Sequence, residues 1–265
     1  MLYFSSQLKT DAAYNTDAEN IFSAFFDAGE QFDFIHNTKD IWMRDYMPVK
    51  TKSEKFVSFR YEPGYLKSSK EFRTDYREDI SFQFNFPVTY STINLDGGNV
   101  VFSPSKTRAI ISDRIFSENP ARDKDNLIKE LSGLLEAEVI IIESLKSDFT
   151  GHADGMARFL DEHTVLLNKT DFKNGLEQRQ ARALKGLGFS VIKFPYYQCG
   201  TKSAEGSYLN YLETASHIFL PIFGHETDNV ALSTAKRIFC KEIVPIKIHS
   251  VANDGGALNC ISWEK

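Results

Sequence analysis

Cysteine is scarce. Only Cys199, Cys240 and Cys260 occur in 265 residues. Their number is odd, and their spacings fit neither a disulfide framework nor a zinc ribbon. A reducing compartment, the cytoplasm, is the simpler setting. No run of 18 apolar residues exists, which argues against a membrane-spanning helix. A basic excess is also missing: 31 Lys and Arg face 36 Asp and Glu, a net charge of −5. That argues against a nucleic-acid partner and against a membrane-surface partner. The start, Met1 to Ser6, is apolar but lacks a basic opening and soon meets Lys9 and Asp11. It reads as a strand and not as a signal peptide. No Pro-, Ser- or Gly-rich linker and no low-complexity run divides the chain, so one domain over residues 1–265 is expected. What is abundant is aromatic: 22 Phe and 11 Tyr exclude a disordered chain.

The strongest internal signal is a repeat of about 50–60 residues. Residues 99–103 and 108–112 are β-rich runs joined by Pro-Ser-Lys-Thr, a hairpin. A helix follows over 122–136, with Leu127, Ile128, Leu131 and Leu135 on one face. Val139 to Ile142 is an apolar run of the kind a buried strand shows. The order returns at 155–160, 164–168, a helix over 176–187 closed by Gly188, and 190–194. It returns again at 208–213, 217–223, a helix over 228–239, and 243–248. A fourth unit opens with a hairpin of 42–50 and 56–61, continues through an irregular, partly helical stretch and ends at 86–90. The fifth is split between the termini. It takes 259–263 from the end, and 2–5, a helix over 17–28 capped by Thr16 and Gly29, and 32–36 from the start. These ββαβ units predict an α/β ring of five blades closed by shared termini, which leaves no open sheet edge.

The chemistry-bearing residues open the units. In order these are Trp42-Met43-Arg44-Asp45-Tyr46, Asp96-Gly97-Gly98-Asn99, Gly151-His152-Ala153-Asp154-Gly155, Ser207-Tyr208-Leu209-Asn210 and Gly255-Gly256-Ala257-Leu258-Asn259-Cys260. Asp45, Asp96, Asp154, Asn210 and Cys260 follow one another at separations of 51, 58, 56 and 50. Equivalent positions in a ring lie around its axis, so these residues should converge on one central site.

Single residues carry simpler alternatives. Cys240, among apolar residues at a helix end, reads as a buried hydrophobe; Cys199, on a loop, is ambiguous. Cys260 follows a Gly-Gly turn at the expected centre and is the candidate nucleophile. His152 and Asp154 would share a face on a strand and could be two ligands of a zinc ion or a plain surface pair. Asp96-Gly97-Gly98 could be only a turn. Arg44 and Asp45 could be an ordinary ion pair, and Asp113 a helix cap. In the unit-two hairpin, however, Asp113 and Asp96 reach the same end. Trp42 belongs either to the core or to the wall of a cationic pocket. Asn210 is disfavoured on a strand, which suggests a local need.

One thiol, one imidazole and several carboxylates suit a planar cation. A guanidinium offers forked N–H donors to carboxylates and an electrophilic carbon to a thiolate. The motifs Trp42-x-Arg44-Asp45-Tyr46-x-Pro48, Asp96-Gly97-Gly98-Asn99, Gly151-His152-x-Asp154, Ser207-Tyr208-x-Asn210 and Gly255-Gly256-x-x-Asn259-Cys260-Ile261 resemble those of agmatine deiminases and bacterial peptidyl-arginine deiminases. The resemblance runs over nearly the whole chain. It departs where those relatives usually carry Glu (here Asp96) and His (here Asn259), and this chain is shorter. It implies a five-bladed αβ-propeller, the pentein fold, and a hydrolase that removes ammonia from a guanidino group without a cofactor or metal. It implies Cys260 as nucleophile and His152 as acid and base. Asp113 would orient His152, with Asp96 as the fallback. Asp45 and Asp154 would clamp the guanidinium, and Asn210 would position thiol or substrate. The expected partner is a small guanidino compound, and a homo-oligomer is compatible with this reading. The alternatives are an amidinotransferase, which passes the amidino group to an amine, a non-catalytic guanidine binder on the same fold, and a zinc hydrolase.

Overall fold

The computed structural model describes residues 1–170 and 175–265. Among them are five separate three-stranded sheets, one per expected unit. In each sheet a short first strand runs antiparallel to a middle strand, and the middle strand runs parallel to the third. Unit one is Val49–Lys50, Phe56–Arg60 and Val88–Asn94. Unit two is Val101–Phe102, Arg108–Ser112 and Glu138–Ile142. Unit three is Ala157–Phe159, Thr164–Asn168 and Ser190–Phe194. Unit four is Leu212–Glu213, His217–Ile222 and Glu242–Lys247. Unit five joins the ends of the chain: Ser262–Glu264 pairs with Leu2–Ser5, which pairs with Phe32–Ile35. The fold is the five-bladed pentein propeller, with no continuous barrel.

The middle strands explain the apolar runs. Ala109, Ile110 and Ile111, Val165, Leu166 and Leu167, and Ile218, Phe219 and Leu220 are all fully buried. Burial on both faces removes the polar alternation an exposed sheet would show. The connecting helices Asn15–Asp27, Lys124–Leu135, Leu176–Gly186 and Thr227–Ile238 bury one stripe each. In Lys124–Leu135 the stripe is Leu127, Leu131 and Leu135, a spacing of one turn that turns those side chains to the sheet. Unit one lacks such a helix. Its connection is a series of short turns, Gly64–Leu66, Lys70–Phe72, Tyr76–Ile80 and Ser81–Gln83.

Three local expectations are corrected. Thr16 does not cap the first helix: Asn15–Asp27 follows directly on the turn Ala12–Tyr14, and Asp11 caps that turn through Ala13 N–H at 2.9 Å. Cys240 is exposed. Its helix ends at Ile238, which leaves Cys240 outside the buried stripe, in the turn before an outer strand. The first strands are shorter than the sequence suggests. Residues 43–46, 97–99 and 153–155 form single helical turns that precede them. His152 and Asp154 therefore sit on a turn and not on a strand.

Candidate active site

The unit openings become turns because their side chains replace ladder hydrogen bonds. Asn99 shows how: its Oδ1 accepts from Ser112 N–H at 2.9 Å in its own unit and from Ala153 N–H at 3.1 Å in the next. It ties unit two to unit three at the ring centre. Across the shared terminal unit, Arg44 does similar work. Its backbone N–H donates to Cys260 O at 3.0 Å, its Nε to Asn259 O at 3.3 Å and its Nη2 to Ser262 Oγ at 3.3 Å. Among the described residues Arg44 forms no ion pair with Asp45; its guanidinium goes to Asn259 and Ser262 instead.

These turns bring Asp45, Asp96, His152, Asp154, Asn210 and Cys260 together, and all six are buried. His152 Nε2 lies 2.7 Å from Asp96 Oδ2, and its Nδ1 lies 3.5 Å from Asp45 Oδ1. Gly98 N–H fixes Asp45 Oδ1 at 3.1 Å. On the other side, Asn210 holds the cysteine twice. Its Nδ2 donates to Cys260 Sγ at 3.1 Å, and its Oδ1 accepts from Cys260 N–H at 3.2 Å. Cys260 Sγ faces Asp154 Oδ2 at 3.6 Å. Two glycines make room for this assembly. A Cβ on Gly98 would fall 2.5 Å from Asp45 Oδ1 and 2.9 Å from His152 Nδ1. One on Gly256 would fall 2.2 Å from the Trp42 ring. Trp42 is partly buried at the edge of the main core cluster, where it seats the turn that carries Cys260.

Asp113 does not orient His152. Its Oδ1 accepts from Ser144 N–H at 3.0 Å and Ser144 Oγ at 2.5 Å, and Lys146 Nζ lies 3.3 Å away. It heads the short helix Arg114–Glu118, and its carboxylate turns to the following loop. Asp96 occupies the place beside the imidazole. Sequence reasoning also passed over Asn259 as a site residue. Its Nδ2 donates to Asp154 Oδ2 at 2.7 Å, so it holds the carboxylate that faces the thiol. The departure from His at that position was the available signal. Tyr65, whose hydroxyl lies 3.1 Å from Asp96 Oδ2, had none, because it sits in the irregular connection of unit one.

Charge in this enclosure is unbalanced. Burial favours neutral His152, but Asp45, the bond to Asp96 and Asp154 outweigh it and raise its pKa to about 10. Burial raises Asp45 to about 7; Asp96 and Asp154 add to the rise, and His152 and the Gly98 N–H oppose it. Burial, with Asp154 and Asp45, pushes the Cys260 thiol well up, against the Ala257 backbone and Asn210. The enclosure therefore places an imidazolium and a thiol beside the carboxyl groups of Asp45, Asp96 and Asp154. Among the described residues no cluster of three or more His, Cys, Asp or Glu is arranged to hold a metal ion. A cavity of about 530 Å³ reaches Arg44, Asp154 and Asn259 and follows the first strands away to Phe102, Glu213 and Glu264.

The profile of the Porphyromonas-type peptidyl-arginine deiminase family matches residues 9–265. The chain belongs to that family. No curated protein matches it by sequence. Solved structures share its fold. An agmatine deiminase of C. jejuni with substrate bound has 17% identity and a TM-score of 0.73, over 99% of this chain and 92% of that one. An agmatine deiminase of Enterococcus faecalis has 16% identity and a TM-score of 0.77 over the same shares. A dimethylarginine dimethylaminohydrolase of Pseudomonas aeruginosa has 10% identity and a TM-score of 0.61, over 98% and 97%. Among the described residues no helix is long and apolar enough to cross a membrane.

Proposed function

We propose that this protein is a guanidine deiminase. It hydrolyses agmatine or a related arginine derivative to the corresponding urea and ammonia, through a covalent thiouronium on Cys260. The observation that carries the reading is the pairing of two arrangements in one buried enclosure. Cys260 Sγ is held by Asn210 beside Asp154, and His152 is bracketed by Asp45 and Asp96. A planar cation between Asp45 and Asp154 supplies the missing positive charge and meets forked donors with carboxylate oxygens.

The protonation states suit this sequence of steps. As the guanidinium docks, its charge and that of the imidazolium favour the thiolate, and the thiol proton passes to water. Sulfur attacks the guanidinium carbon to form a tetrahedral adduct. The adduct collapses as His152 gives its proton to the leaving nitrogen, and ammonia departs. Neutral His152 then takes a proton from water, and the hydroxide adds to the thiouronium carbon. Expulsion of the thiolate leaves the urea. Asp96 holds the imidazole ring, and Asn210 the sulfur.

Ammonia release from a panel of guanidino compounds, with no amine acceptor added, tests the reading. Stoichiometric ammonia and urea product from at least one guanidine is expected. Turnover that requires an added amine would instead make the protein an amidinotransferase.

A further inference from the structure

Tyr65 comes from the unit-one connection, in the turn Gly64–Leu66. It crosses to the centre, where its hydroxyl lies 3.1 Å from Asp96 Oδ2. That is the same oxygen that His152 Nε2 meets at 2.7 Å. The Tyr65 ring stands edge-on to His152 with centroids 6.1 Å apart and is covered by Phe149 at 5.0 Å. The Arg114 guanidinium lies 5.4 Å from the ring centre, and Lys202 Nζ lies over Phe149 at 5.8 Å. Segments of units one, two, three and four thus meet over the imidazole.

We propose that Tyr65 is a positioning residue for the reaction above: its hydroxyl shares Asp96 Oδ2 with His152, so docking of the unit-one connection sets how strongly the imidazole holds its proton. Two donors on one carboxylate oxygen compete for its charge. Burial, with the Asp96 charge, raises the phenol well above its ordinary range, so it stays the donor. When Tyr65 is docked, Asp96 holds the imidazolium less tightly, and proton transfer to the leaving ammonia is easier. When the connection lifts, Asp96 turns wholly to His152 and the proton is retained.

This inference rests on the proposed deiminase chemistry, but its first readout does not. In protein labelled at histidine, with His152 assigned by a His152→Asn variant, NMR titration follows the imidazole without substrate. Tyr65→Phe keeps the ring and removes the donor, so His152 should titrate about half a unit higher. The alkaline limb of kcat/KM should move the same way, and kcat should fall by up to about threefold with little change in KM. Site-specific 3-fluorotyrosine at position 65 makes a stronger donor and should move His152 downward; it also decides the matter if the Phe variant fails to fold. An unmoved His152 titration in a folded variant overturns the proposal. Shifted titrations with no turnover of any guanidine would leave the positioning role standing and remove the deiminase reading.

Discussion

Asp96 Oδ2 stands 2.7 Å from His152 Nε2, whereas the Asp113 carboxylate is engaged by Ser144 and Lys146. That contrast settles which acid supports the imidazole. Asp96→Asn should lower kcat/KM by on the order of 100-fold, because the proposed general acid loses the carboxylate that fixes its ring and tautomer. Asp113→Asn should stay within about threefold of the parent and weaken only the bonds to Ser144 and Lys146. The two rates measured side by side check this, and a larger loss at Asp113 would reverse the assignment.

In the proposed mechanism three groups set the pH dependence: Asp45, His152 and the Cys260 thiol. Asp45 must be ionised to hold a cation, and its raised pKa, about 7, puts the rise of kcat/KM there. His152 must carry a proton to release ammonia, and its pKa, raised to about 10, puts the fall there. Because docking must also expel the proton of the Cys260 thiol, which burial pushes well up, kcat/KM should go on rising above about 7 and fall above about 10, measured on a guanidine that does not titrate in the range. A rise in the ordinary carboxylate range, or a fall at the pKa of free imidazole, would contradict the charge arrangement.

In the proposed mechanism Asp45 and Asp154 divide the guanidinium between them. Asp45→Asn and Asp154→Asn should each cost about 1.5–3 kcal/mol of transition-state stabilisation, read from kcat/KM. Full activity in Asp45→Asn would make Asp45 structural.

Gly98 tests the close packing of the same cluster. An added methyl would fall 2.5 Å from Asp45 Oδ1, which real side-chain packing does not tolerate. Gly98→Ala should abolish measurable turnover while circular dichroism stays close to the parent. An active Gly98→Ala would mean that the enclosure yields far more than its distances suggest.

The fold was legible because its repeat is written in apolar runs. Val165 to Leu167 and Ile218 to Leu220 are buried on both faces, so each unit announces its middle strand. The convergence of the site was legible because equivalent places in successive units must face one axis. The details failed where one side chain overrides a pattern. Asn99 turns an expected strand into a turn by bonding across two units. Asp113 shares the hairpin end with Asp96, yet its carboxylate bonds Ser144 and Lys146 and not the imidazole. Cys240 follows an apolar run, but its helix stops two residues earlier. Tyr65 lies in a connection without period or motif, and its place depends on a contact between units that no local signal records.

The central claim is that Cys260 bonds to the guanidino carbon. Rapid acid quench of the parent protein during turnover of the best substrate, followed by intact mass and peptide mapping, tests it most directly. The account predicts a species heavier by the substrate less ammonia, located on the peptide that carries Cys260 and absent from Cys260→Ser. An adduct on Cys199, or a Cys260→Ser protein of near-parent activity, would contradict it.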